Sequence, residues 1–308
     1  MNIVFMGSDP FALPSLAALL ETDHRILSVV TQPDKPAGRG QTIQPCAVAA
    51  FARERGLPLF QPSTLKVSDA VSFLKTLGAD LFTIVAYGKF LPATILAIPP
   101  QGCINVHPSL LPKYRGPAPM NWAIANGDRE TGVTTMYLSE EMDAGDIIFF
   151  ARTAIDECEK APELEERLAA IGAELFITTI DAIDHGTAPR IPQIHADATI
   201  APMLKKEDGH IDWTLPAENI YNRIRGFTPW PGSYTLWEGK RLHIHEAAVV
   251  KKPALAKYGT VVATDNGLAV ATSDHLLYLL EVQVEGKKRM SAAAFLRGHQ
   301  IHVGTVFT

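Results

Sequence analysis

The run Leu81–Ala86, LFTIVA, is nearly all apolar and reads as a strand. A strand of that composition is covered on both faces, as in a parallel sheet layered between helices. Its neighbours keep the same rhythm. Asn2–Met6 and Ile26–Thr31 read as strands, Phe11–Glu21 and Cys46–Arg55 as helices, the second closed by Gly56, and Val67–Leu77 as a helix stopped at Gly78. Cys103–His107 is a further strand, Pro119–Asn126 a short helix, and Ala161–Asp184 a long helix ended near Gly186. The alternation predicts an α/β fold with a doubly wound, mostly parallel sheet.

From Thr187 to Lys206 the pattern breaks into a proline-containing stretch without period, expected to be a linker. Beyond it Ser233–Trp237, Arg241–Val249, Gly259–Ala263, Leu268–Ala271 and Leu276–Val284 are strand-like runs separated by turn residues, which predicts a small C-terminal β-barrel of the OB-like kind. The expected division is therefore 1–189, a linker over 190–206, and 207–308. With 308 residues, 47% of them hydrophobic, two such domains bury enough apolar surface to need no disulfide or structural metal. Cys46, Cys103 and Cys158 form no CxxC pair, which fits a reducing compartment. The opening MNIVFMG has no basic lead-in, and no run of 18 apolar residues occurs, so a soluble, unprocessed cytoplasmic protein is expected.

The formal charge of −5 speaks against a protein that wraps a polyanion. The distribution is uneven: residues 1–205 hold 16 basic and 23 acidic side chains, whereas 206–308 hold 12 and 10. Lys251-Lys252 and Lys287-Lys288-Arg289 are basic patches in that second portion, each readable as a solvated face or as a phosphate contact.

Gly7-Ser8-Asp9-Pro10-Phe11 follows the first strand with a single glycine, so it reads as a tight turn capped by Ser8 or Asp9 and not as a dinucleotide site. Thr31–Gly40, TQPDKPAGRG, is a longer, glycine-rich loop than a strand-to-helix connection requires, and it carries Lys35 and Arg39 at the carboxyl edge of the sheet. In Cys103–His107 alternation places Asn105 and His107 on one face, about 6–7 Å apart. An amide can donate to a developing oxyanion and an imidazole can donate or carry a proton near neutral pH. Cys103 shares that face but lies too far along the strand to form a thiol–imidazole pair. The loop Glu140–Asp146 offers four carboxylates, Glu140, Glu141, Asp143 and Asp146, without calcium-loop spacing. It is either a solvated acidic turn or a loop with one carboxylate turned toward an imidazole, and the pattern does not choose among the four. His243 and His245 lack a third ligand at meaningful spacing, so no metal site is expected. No G-x-S-x-G elbow is present.

Taken together, GSDPFA (Gly7–Ala12), TQPDKPAGRG, VAYG (Val85–Gly88), GCINVHPSLLPKYRGPAP (Gly102–Pro119), TGVT (Thr131–Thr134), MDAGDI (Met142–Ile147), Ile211-Asp212-Trp213 and RGFTPWP (Arg225–Pro231) resemble the folate-dependent formyltransferases. Over essentially the whole chain the likeness is to their tRNA-acting branch, the methionyl-tRNA formyltransferases. The resemblance implies a Rossmann-like formyltransferase domain followed by a tRNA-binding barrel. Carried onto this sequence, the family's catalytic trio falls on Asn105, His107 and Asp143, and its folate-binding segment on Ser109, Leu110, Leu111 and Pro112. The loop with Lys35 and Arg39 matches the insertion that approaches the acceptor end of initiator tRNA. Pro108 stands where many relatives have a small residue and implies a stiffer loop. The implied reaction moves the formyl group of 10-formyltetrahydrofolate, a co-substrate, to the amino group of methionyl initiator tRNA, without a metal, in a monomer.

Two other readings compete. A formyltransferase acting on a small amine would share the strand pair but not TQPDKPAGRG and the barrel. A catalytically silent nucleic-acid-binding module would leave the Asn105, His107 and Ser-Leu-Leu-Pro cluster without purpose.

Overall fold

The computed structural model describes residues 1–37, 42–264 and 267–308. In chain order the elements are β1 (Asn2–Gly7), α1 (Leu13–Leu20), β2 (Arg25–Val30), β3 (Lys35–Ala37), β4 (Thr42–Gln44), α2 (Ala47–Glu54), β5 (Leu59–Phe60), α3 (Ser68–Thr76), β6 (Leu81–Val85), α4 (Ala93–Leu96), β7 (Cys103–His107) and α5 (Pro119–Ala125). They continue as β8 (Glu130–Tyr137), β9 (Ile147–Ala154), α6 (Ala161–Asp184), α7 (Ala217–Gly226), β10 (Ser233–Trp237), β11 (Lys240–Val250), β12 (Val261–Ala263), β13 (Leu268–Ala271), β14 (Leu276–Val284), β15 (Met290–Ser291) and α8 (Ala292–Gly298). The described residues cluster into two compact units: Met1–Pro119 with Glu130–Ala154 and Glu165–Ala201, and Met120–Arg129 with Ile155–Leu164 and Pro202–Thr308.

The first unit is built on a seven-stranded sheet in the order β5-β2-β1-β6-β7-β8-β9. The ladders from β5 to β7 are parallel, and β8 and β9 join antiparallel. All five β6 residues are buried, as the apolar run requires. One face packs Val4, Met6, Phe82 and Leu74 into a shared cluster, and on the other Phe5 meets Phe176 of α6 edge-to-face at 6.1 Å. Each such side chain removed from water contributes about 1.5–3 kcal/mol before chain entropy is charged against it. From β1 the order runs outward one way to β2 and β5 and from β6 the other way to β7, so the strand order switches between β1 and β6. Crevices at the carboxyl ends beside such a switch are where open α/β sheets take ligands.

Two turns at that edge are fixed by specific bonds. An added Cβ on Gly7 would lie 2.9 Å from the Val85 carbonyl oxygen, so the glycine serves close strand approach. The Ser8 and Asp9 N–H groups both donate to the Ala86 carbonyl, and the Asp9 carboxylate accepts from Phe11 N–H at 3.0 Å. Gln32 ties this turn to its neighbours: its N–H donates to Ser8 Oγ and its amide to the Tyr87 carbonyl, each at 3.0 Å. TQPDKPAGRG departs from the expected loop, because Lys35–Ala37 pairs antiparallel with Thr42–Gln44 as a short hairpin. Gln61 and Arg53 brace its base through Asp34, holding that carboxyl below its ordinary value.

In the second unit the antiparallel ladder runs β10-β11-β14-β13-β12, with β15 on β14. This curled, OB-like sheet is an open half-barrel. The C-terminal residues bridge its free edges: Leu236 and Thr308 exchange two backbone bonds, Phe307 N–H donates to Gly259 and Val261 N–H to Thr305. Trp213, Ile220, Ile224, Trp237, Leu242, Phe295 and Phe307 belong to its core. Helices α7 and α8, absent from the reading of the sequence, supply Ile220, Ile224 and Phe295. No described helix is long and apolar enough to cross a membrane.

Candidate active site

Cys103, Ile104 and Val106 are buried and hold β7 between β6 and β8, which puts His107 at the strand's carboxyl end opposite Thr134. Asn105 is half-buried on the same face by alternation, opposite Met136. No described residue holds its side-chain amide by a hydrogen bond, so both amide hydrogens are available. Burial pushes the Cys103 thiol up to about 12, so it holds almost no thiolate at neutral pH.

After His107 the chain makes a braced turn. Ser109 N–H donates to the His107 carbonyl at 2.9 Å and Ser109 Oγ to the Lys113 carbonyl at 2.7 Å. Thr134 Oγ1 donates to the Ser109 carbonyl at 2.7 Å and accepts from Leu111 N–H at 3.2 Å, fastening the turn to β8. Leu111 packs with Met136 and Ile147, while Leu110 and Pro112 are half-buried. Ser109–Pro112 thus stands against the sheet beside His107, with its serine hydroxyl already committed.

The imidazole of His107 is buried and oriented from both sides. Nε2 lies 2.9 Å from the Tyr114 carbonyl oxygen, which can only accept, so Nε2 carries a hydrogen. Nδ1 faces Asp143 Oδ2 at 3.7 Å. Asp143 Oδ2 also accepts from Gly116 N–H at 2.8 Å. Of the four carboxylates in the acidic loop, Asp143 is the one turned to the imidazole; Glu140 and Glu141 are exposed, Glu141 lying 3.5 Å from Arg115, and Asp146 faces Arg190 at 3.8 Å. Asp143 takes φ +50°, a left-handed conformation that costs an L-residue about 1–2 kcal/mol.

Lys35 is exposed on β3 with Nζ donating to Gln32 Oε1 at 2.8 Å, and Arg39 lies outside the described residues. His243 and His245 stack at 6.5 Å, and burial followed by mutual repulsion holds His243 below its ordinary value. Among the described residues no group of three or more His, Cys, Asp or Glu is arranged to hold a metal ion. Gln193 and Arg115, which sequence reasoning did not single out as functional, are buried against the acidic loop.

A family model described as "Formyl transferase" matches residues 1–180, and one described as "Formyl transferase, C-terminal domain" matches residues 203–300. A methionyl-tRNA formyltransferase of Desulforamulus reducens is 45% identical over 99% of this chain and 97% of its own length. One from Symbiobacterium thermophilum is 48% identical over 100% and 95%. The chain belongs to the formyl transferase family and, within it, to the methionyl-tRNA formyltransferases. The fold recurs in solved structures of low identity. The sugar 3N-formyl transferase WlaRD matches with a TM-score of 0.69 at 17% identity, covering 94% of this chain and 99% of that one. HypX from Aquifex aeolicus, solved in complex with tetrahydrofolic acid, gives 0.64 at 18%, covering 99% of this chain and 50% of that one.

Proposed function

We infer that this chain transfers the formyl group of 10-formyltetrahydrofolate to the α-amino group of methionyl initiator tRNA. The observation that carries the chemical part is the His107 imidazole held 3.7 Å from the Asp143 carboxylate at the end of β7, with Asn105 on the same strand face two residues earlier. An aminoacyl amine near the reference value of about 7.7–8 is partly neutral at pH 7, so no strong base is needed and positioning is the main task. The amine nitrogen attacks the formyl carbon, the carbonyl pair moves to oxygen, and Asn105 donates to the oxyanion. With Nε2–H committed to Tyr114, Nδ1 is the nitrogen that exchanges a proton. It takes the proton that the amine loses, helped by Asp143, and in cationic form donates to the oxyanion. Collapse re-forms the carbonyl and breaks the bond to N10 of the folate, which receives one proton. Ser109–Pro112 holds the folate beside this centre.

The segment that carries Lys35 and Arg39 is read as the part that meets the acceptor end of the RNA. Formyl chemistry belongs to the portion before about residue 190 and RNA docking to that after about 206, with the exposed Lys251, Lys252, Lys287 and Lys288 as phosphate contacts and no second copy of the chain required. Arg289 contributes less, because it is paired with Glu281 and Glu246. The experiment is single-turnover formyl transfer by Asn105→Ala and His107→Ala. Each is expected to lose about 10²–10³-fold in rate, the value of an oxyanion donor, with tRNA affinity nearly intact. A near-wild-type rate in both contradicts the assignment.

A further inference from the structure

Asp143 holds an unfavourable backbone conformation in a loop whose neighbours Glu140, Glu141 and Met142 are exposed, tied back at the apex by the partly solvated pairing of Glu141 with Arg115 at 3.5 Å and His195 at 3.9 Å. The constraint comes from Gln193, a buried side chain fifty positions away in sequence. Its Nε2 donates to the carbonyl oxygens of both Asp143 and Gly145, each at 2.8 Å. Its Oε1 accepts from Arg115 Nε at 3.0 Å and Nη2 at 2.8 Å. The amide's two hydrogens and both oxygen lone pairs are thereby used. A flipped amide would set oxygen against two carbonyls and hydrogens against the guanidinium, so the orientation is chemically unique.

Arg115 is itself 4% exposed, and its neighbours in the chain complete the arrangement. The Tyr114 carbonyl accepts from His107, the Arg115 guanidinium fixes Gln193, and Gly116 N–H donates to the Asp143 carboxylate. Three consecutive residues therefore hold both members of the imidazole–carboxylate pair. We propose that Gln193, oriented by Arg115, is a positioning residue that holds Asp143 toward His107 for the transfer step. The proposal rests on the reading of Asp143 as part of the reacting centre.

Gln193→Glu separates positioning from packing. It keeps the volume and the acceptor for Arg115 but turns a carboxylate toward two carbonyl oxygens, losing both bonds to the loop. The measurement is single-turnover formylation of methionyl initiator tRNA, with KM values for tRNA and folate, for Gln193→Glu, Asp143→Asn and the double variant. The expected result is a loss of about 10- to 100-fold in rate for Gln193→Glu, the scale of a small misplacement of a reacting group, with KM values little changed. The double variant is expected to be no slower than Asp143→Asn alone, because the same contribution cannot be lost twice. Lowering the pH is expected to restore part of the Gln193→Glu rate relative to wild type, since a protonated carboxyl regains one donor. A wild-type rate in Gln193→Glu, or losses that multiply in the double variant, overturns the positioning role. A wild-type rate in Asp143→Asn overturns the reading of Asp143, and this proposal with it. If Gln193→Glu does not fold, Arg115→Lys, which keeps the charge but loses the two-pronged contact, is expected to give a smaller loss that also vanishes in Asp143→Asn. A loss that persists there overturns the proposal.

Discussion

A Cβ on Gly145 would lie 1.9 Å from the Tyr137 carbonyl oxygen and 2.9 Å from its carbonyl carbon, backbone atoms that cannot rotate away. The loop that carries Asp143 therefore closes on β8 only with glycine there. Gly145→Ala is expected to cost about 1–3 kcal/mol of stability by overpacking and to displace Asp143, lowering the transfer rate. Thermal unfolding together with single-turnover kinetics checks this, and a variant that keeps both its melting temperature and its rate contradicts it. Legibility at this scale follows what a side chain does. Asn105 and His107 could be placed on one face from strand alternation alone, whereas the pattern left four carboxylates open and the fold had to turn one of them inward. Gln193 was not legible, because its partners are two backbone carbonyls and a guanidinium distant in sequence, and backbone groups carry no residue signature.

Among the elements, α7 depends on a contact from outside itself. Asp274, in the turn between β13 and β14, accepts from Ala217 N–H at the start of α7 at 2.9 Å. Burial alone would raise its carboxyl, but the bonds from Ala217, His275 and Thr272 prevail and hold it at about 2. A carboxyl held below its unfolded value of about 3.9 contributes stability that is present above that value and lost as the pH falls through about 2. The side chain is 40% exposed, so solvent screening reduces the contribution to about 1 kcal/mol. Asp274→Asn is expected to lower stability by that amount at pH 7 and to approach wild type near pH 2, as followed by denaturant unfolding across that range. An equal deficit at both pH values contradicts the assignment. Elements with a strong period or a closed apolar run, such as β7, β10, β13, β14 and α6, stand where their sequences place them. Helix α7 carries Ala217, Ile220, Tyr221 and Ile224 at the helical spacing i, i+3, i+4, i+7, a signal its otherwise polar composition and its place just after the linker outweighed. The hairpin β3–β4 was missed because its strands are three residues long and largely exposed, so no buried face marks them.

At the scale of the whole molecule, net charge was a poor guide. The −5 total combines an acidic portion that holds Asn105, His107 and Asp143 with a slightly basic one that carries Lys251, Lys252, Lys287 and Lys288. An RNA partner is compatible with that distribution, since phosphate contacts depend on local cations and not on the sum. Family membership extends over both portions, with matches at 1–180 and 203–300, and relatives named methionyl-tRNA formyltransferase align over both at 45–48% identity. The most direct measurement is incubation of the purified chain with methionyl initiator tRNA and 10-formyltetrahydrofolate, scored for N-formylmethionine, with elongator methionyl-tRNA and an amino sugar nucleotide in parallel. N-formylmethionine is predicted on the initiator tRNA well ahead of either control. Its absence there, or formylation of the amino sugar in its place, would contradict the account.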